Sequence, residues 1–211
     1  MTQILKNLSE PSEFWDYFEQ ISKIPRCSGN EKQIRIYIKS KAEQFGFKTN
    51  EDSVGNLVVK IPTTINKPKM KIILQCHLDM VCEKNEGIPH DFSKDPINLK
   101  VIEANGEKWV TAEGTTLGAD NGVGIAYLLT LMKKIHNKEL IFNNIAFELL
   151  FTVDEESGLV GALKIDKNLF DGDILINLDS EEDDTFTIGC AGGITTTAEI
   201  KDKNIILNDK A

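Results

Sequence analysis

Apolar residues fall at helical intervals near the start of the chain. In PSEFWDYFEQISKI they recur at Phe14, Trp15, Phe18, Ile21 and Ile24, one face of a 3.6-residue repeat, and Pro25 ends the run. SGNEKQIRIYIKSKAEQFGF predicts a second amphipathic helix, capped at Ser28 or Asn30 and closed by Gly46. NLVVKI reads as a strand and, after the loop PTTINKPK, so does MKIILQCHLDMV. Residues 83–112 are loop-rich, with GIPHDFSKDPI and a hairpin around EANGEKWV. A helix from about Gly122 to Asn137 follows, then the strand NIAFELLFTV, a short helix near Leu159 to Lys164, and the strand DILINLD. Strand and helix patterns alternate, which predicts an α/β fold with an at least partly parallel sheet. After Asp184 the character changes: TFTIGCAGGITTTAEIKDKNIILNDKA is Thr-rich and strand-like, the pattern of a hairpin opening a second module.

Length and composition narrow this picture. The 211 residues suffice for one good-sized domain, or a domain and part of another. A net charge of -9 argues against a nucleic-acid partner, because phosphate binding needs a basic face. No apolar run approaches the ~20 residues of a membrane span, and MTQILKNLSEPSEFW lacks a signal-peptide pattern. Cys27, Cys76, Cys82 and Cys190 are scattered, with no C-x-x-C pair. They read as reduced thiols of a cytoplasmic protein, neither a disulfide framework nor a zinc-finger set.

Polar chemistry gathers where the apolar strands finish. His77 and Asp79 end ILQCHLDMV, Asp120 sits in TTLGADNGVGIA, Asp154, Glu155 and Glu156 follow FTV, and Asp179 follows LINL. In α/β sheets, ligand and catalytic groups collect at the carboxyl ends of strands. Residues two apart on a strand share a face, and a metal-bound histidine usually donates its other N–H to a carboxylate, so His-x-Asp supplies such a pair locally. Glycines 118, 122 and 124 allow tight turns around Asp120, whose carboxylate can lend one oxygen to each of two cations. Of two adjacent glutamates, one can ligate while its neighbour faces the water. With Asp179 the set is rich in oxygen donors with one nitrogen, a hydrolytic arrangement for two metals ~3.5–4 Å apart. Each piece alone has a plainer reading. His-x-Asp is often a satisfied pair, DEES a solvated helix start and DSEEDD a charge run, while GADNGVG fails the dinucleotide spacing. His90 and His136 are assigned to the surface. Together, at four strand ends, the groups point to zinc.

The phrases QCHLDMVCEKN, HDFSKDPI, WVTAEGTTLGADNGVGIA, TVDEESGLVGA and LINLDSEEDDTFTIGCAGG resemble the cytosolic aminoacyl-histidine (Xaa-His, or cytosol non-specific) dipeptidases. These belong to a larger zinc metallopeptidase family that includes carnosinases and tripeptidase T. FEQISKIPRCSGNEKQI fits the same resemblance. It implies a three-layer α/β catalytic domain with a mostly parallel mixed sheet over residues 1–184, and the start of an inserted lid, or dimerisation, domain over 185–211. It also implies two zinc ions per complete site, with manganese or cobalt as substitutes. His77 and Asp179 would bind one ion, with Asp79 behind His77; Asp120 would bridge both, Glu156 would bind the second, and Glu155 would be the general base. The implied reaction is hydrolysis of dipeptides with a free N-terminus, by a cytoplasmic homodimer that pairs through its lid. The family's last ligand is a distal histidine, and none follows His136 here. The chain is thus expected to be the N-terminal portion of such an enzyme, inactive alone, or else a metal-binding remnant without turnover.

Overall fold

Two helices open the chain, α1 (Ser12–Ile21) and α2 (Lys32–Gln44). Strands β1 (Lys48–Glu51), β2 (Leu57–Ile61) and β3 (Met70–His77) follow, then the hairpin β4 (Leu99–Ala104) and β5 (Glu107–Ala112). Helix α3 (Ala119–His136), β6 (Ile145–Thr152), α4 (Val160–Leu163) and β7 (Ile174–Asn177) complete the order. This is a computed structural model, and it describes all residues except 1–3, 7, 64–67, 181, 183, 190–191, 194–195 and 198–211. The chain divides after Asp179 into two units. In the second, no described residue lies in a helix or strand, and most of the hairpin expected from the Thr-rich segment falls outside the described residues.

Local chemistry explains most boundaries. Gly46, with φ +80, closes α2 as expected: its N–H donates to the Glu43 carbonyl at 3.0 Å and that of Phe47 to Ala42 at 2.8 Å. This left-handed stop satisfies carbonyls that the helix leaves open. The start of α2 differs from expectation. Neither Ser28 nor Asn30 caps it; the residue ahead of the first turn is Glu31, and Ser28 is drawn into another bond described below. The β4–β5 hairpin turns at Asn105-Gly106, both with positive φ, as a tight turn between right-twisted strands requires.

The sheet order is β1-β2-β6-β3-β7. β6, β3 and β7 run parallel, while β2 runs antiparallel to β6 and β1 to β2. Alternating side chains divide between the two faces. Leu57, Val59, Ile61, Leu149 and Phe151 join Phe18, Ile21, Ile34, Ile38, Ile125, Leu128 and Met132 in the core under α1, α2 and α3. Val58, Ile73 and Leu150 pack on the opposite face with Leu169. Each such side chain contributes ~1.5–3 kcal/mol when fully buried, so both layers press on the sheet. The connection leaving β3 reaches β6 on one side, and the connection leaving β6 returns to β7 on the other. The chain therefore switches direction around the carboxyl end of β3, which opens a crevice there.

Candidate metal centre

His77 is the last residue of β3 and is only 1% exposed. The strand's pairing with β6 continues one bond further, from the Leu78 N–H to the Thr152 carbonyl at 2.8 Å, so the position of the imidazole is fixed by the sheet. Asp79 behind it is fully buried and accepts four hydrogen bonds. They come from His77 Nδ1 at 3.2 Å, Ser28 Oγ at 2.8 Å, and the backbone N–H groups of Glu155 and Glu156 at 3.0 and 3.1 Å. One carboxylate thus holds the imidazole from behind and anchors the loop after β6. Burial alone would raise the Asp79 pKa, but these bonds outweigh it and hold the carboxyl at about 2.

The loop 154–156 is further restrained. Asp154 has φ +52, and its N–H donates to Glu31 Oε1 at 3.0 Å. Asn56, fully buried, accepts the Val153 N–H at 3.2 Å and donates to the Gly161 carbonyl at 3.0 Å. Three successive N–H groups of Asp-Glu-Glu are therefore held by buried carboxylates, which fixes the backbone that carries Glu155 and Glu156.

Asp120 enters from the N-terminus of α3. Gly118 (φ +71) makes the turn before it; Asp120 and Asn121 depart from helical angles, and the peptide between them is cis. Regular helix begins only at Gly122, the start expected from the sequence. Asn121 Oδ1 accepts the Gly124 N–H at 3.0 Å, and no side chain fits at Gly124, where a Cβ would lie 2.0 Å from that oxygen. Asp120 Oδ1 lies 2.8 Å from His77 Nε2, and Asp179 Oδ2, beyond the end of β7, lies 3.7 Å from the same nitrogen.

His77, Asp120 and Glu156 each present a ligand atom within 4.8 Å of the others. Burial raises the pKa of Glu155, Glu156 and Asp179, and the negative charge of neighbouring carboxylates, Asp120 for all three, raises it further against the opposing charge of His77. For His77, burial lowers the pKa, but the bonds to Asp79 and Asp120 and the charge of Asp179 bring it up to about 9. The ring thus stands among carboxylates, with Asp79 Oδ1 3.2 Å from Nδ1 and Asp120 Oδ1 2.8 Å from Nε2. The crowded carboxylates favour positive charge between them. This donor set, one imidazole nitrogen among carboxylate oxygens, fits a zinc-like divalent ion.

All six residues singled out from the sequence gather here. His136 lies elsewhere, with Nδ1 3.1 Å from the Phe45 carbonyl, and His90 packs edge-on against Phe92 at 4.4 Å. Sequence reasoning missed Ser28, Glu31 and Asn56, which face the site from behind; the available signal was the SGNE phrase in the N-terminal resemblance. The thiol reading needs correction. Cys27 and Cys82 form a disulfide, with Cα atoms 5.7 Å apart, and only Cys76 is a free cysteine among the described residues. A separation of 55 residues hid the pair; the fold brings the loops together where Cys27 bridges to Met80 beside Asp79.

An α/β sheet with a histidine–carboxylate cluster at its switch point is the architecture of a zinc-exopeptidase catalytic domain. The chain belongs to peptidase family M28, whose model matches residues 56–202. It is 42% identical over 90% of its length to the cytosol non-specific dipeptidase of Escherichia coli, of which it spans 38%. The crystal structure of aminoacylhistidine dipeptidase from Vibrio alginolyticus superposes with a TM-score of 0.75 at 40% identity, covering 84% of this chain and 34% of that one. A tripeptidase from Staphylococcus aureus gives a TM-score of 0.65 at 26% identity, covering 80% and 43%. The resemblance read from the sequence therefore holds. The chain spans about two-fifths of the length of these relatives.

Proposed function

We propose that the complete protein is a metal-dependent dipeptidase that hydrolyses dipeptides with a free N-terminus, including the Xaa-His type. The observation that carries this reading is the convergence of His77, Asp120, Glu156 and Asp179, with Glu155 beside them and Asp79 behind His77. His77 and Asp179 would hold one zinc ion, Glu156 a second, and Asp120 both. The remaining ligand of the second ion would come from a histidine outside these 211 residues. When bound, the ions polarise the scissile carbonyl and make water a nucleophile near neutral pH.

The chain's own residues do the rest. Asp79 accepts the Nδ1 proton of His77 and so leaves Nε2 free to ligate. Glu155 takes a proton from the attacking water at its carboxylate and gives it to the leaving amine, and its raised pKa suits both halves of that transfer. The dipeptidase relatives support the substrate class. A cytoplasmic location and pairing of two copies through a lid domain that begins near residue 185 complete the proposal. No helix among the described residues is long and apolar enough to cross a membrane.

The test uses the complete protein. Glu155→Gln is expected to lower dipeptide turnover by ~10²–10⁴-fold while the bound metal, measured by elemental analysis, stays at the wild-type level. Asp120→Asn is expected to lose metal as well. Near-normal turnover in Glu155→Gln would refute the general-base role. Wild-type protein that binds metal but hydrolyses no dipeptide would favour the other reading, a metal-binding protein without turnover.

A further inference from the structure

One buried charge has no part in the chemistry above. Arg26, in IPRCSG between α1 and α2, is 3% exposed, and its guanidinium hydrogen-bonds to backbone carbonyls. Nη1 donates to the carbonyls of Leu78 and Asp79 at 3.0 and 2.9 Å, and Nη2 donates to the Gly118 carbonyl. A buried guanidinium is costly unless its donors are satisfied, and here backbone oxygens from two separate segments satisfy them. One segment is the exit of β3, which carries His77 and Asp79. The other is the turn that delivers Asp120 two residues later. The planar fork spans both, which a point charge on a flexible stem does not.

The surroundings hold the fork in place. The Arg26 carbonyl accepts the Met80 N–H at 3.1 Å, Ser28 donates to Asp79, and the Cys27–Cys82 disulfide flanks both contacts. The glycines nearby leave room for it: a Cβ at Gly118 or Gly122 would lie 2.6 or 2.8 Å from Nη2. Burial brings the guanidinium pKa down to about 10, against the opposing charge of Asp79, so it is still a cation at neutral pH.

We propose that Arg26 is a positioning residue that sets the separation of His77 from Asp120, and through it the divalent-ion affinity of the centre. The inference rests on the metal-centre reading of these residues. Groups that orient ligands from behind typically change metal affinity by ~10–100-fold when replaced.

The experiment compares wild-type full-length protein with Arg26→Lys, which keeps the charge and removes the fork. Zinc affinity is measured by calorimetry, the cobalt-substituted protein gives a visible absorption spectrum, and a crystal structure of the metal-free variant gives the geometry. We expect affinity to fall by ~10–100-fold, the cobalt bands to shift, and the Gly118 and Leu78 carbonyls to move apart. Wild-type affinity with an unchanged cobalt spectrum in Arg26→Lys would overturn the proposal, because it would show that charge alone suffices. So would carbonyls that stay in place. If Arg26→Lys does not fold, Gly122→Ala presses on Nη2 while leaving the arginine present, and a folded Gly122→Ala protein with wild-type affinity overturns the proposal equally. If wild-type protein binds no divalent ion, the metal-centre reading fails, and the crystal structure alone decides whether Arg26 sets the separation.

Discussion

Replacing Asp79 by Asn tests the scaffold of the centre without touching a proposed ligand. The carboxylate accepts from His77 and the Glu155 N–H on Oδ1, and from Ser28 and the Glu156 N–H on Oδ2. An asparagine can keep the first pair with its carbonyl oxygen. Its amide then faces Ser28, whose hydroxyl can turn and accept, and the Glu156 N–H, which cannot. One buried N–H is left opposite a donor, at a cost of ~1–3 kcal/mol, and the bonds that remain lose their charge assistance. The pKa gives the same quantity from another side. A fall from 3.8 to about 2 corresponds to roughly 2–3 kcal/mol in favour of the ionised carboxyl. These figures describe the same bonds and are not summed, so we expect a loss of ~3 kcal/mol at pH 7. The folded-state pKa is depressed, so the stabilisation is full above the unfolded value near 3.8 and disappears as pH falls through about 2. Roughly half of it is left at pH 3. Urea unfolding of both proteins in chelator, at pH 7 and pH 3, measures this directly. A difference under ~1 kcal/mol at pH 7, or one that does not shrink by pH 3, would refute the account of Asp79 as an ionised, fully bonded anchor.

Two further predictions concern the frame around the centre. Gly161→Ala would place a Cβ 2.2 Å from the Val153 carbonyl and 2.7 Å from Asn56 Oδ1, both fixed by the exit of β6, and overpacking of this kind costs ~1–3 kcal/mol. Urea unfolding should show a loss at the upper end of that range; an unchanged midpoint would mean that the Val153–Asn56 contact yields. Peptide mapping of purified protein without reductant should recover Cys27 and Cys82 as one linked pair, and alkylation of both would refute the pairing. In a chain-entropy account, a link across 55 residues stabilises by ~4 kcal/mol, so a Cys82→Ser variant should unfold at clearly lower urea.

Much of the centre was legible because strand ends are local events. His77, Glu155 and Asp179 each follow an apolar run, and parallel strands must deliver their carboxyl ends to one edge; Asp120, expected at a strand end, comes instead from the glycine-flanked start of α3. Elements with their own period or turn chemistry were equally readable: the face of α1, the glycine stop of α2 and the Asn105-Gly106 hairpin. The strand β1, KTNE, was not. It is polar and mostly exposed, and it is a strand only because β2 supplies its hydrogen-bond partners.

The sequence by itself therefore determined the alternating α/β order and the ligand-type residues, because hydrophobic period and strand termination act over a few residues. Only the tertiary structure decided what stands behind them. Arg26 reaches carbonyls 52, 53 and 92 residues away, Glu31 holds an N–H 123 residues away, and Cys27 finds Cys82. Such contacts leave no local pattern, since a charged side chain or a lone cysteine reads as a surface group until the fold closes around it and removes the water it would otherwise bind.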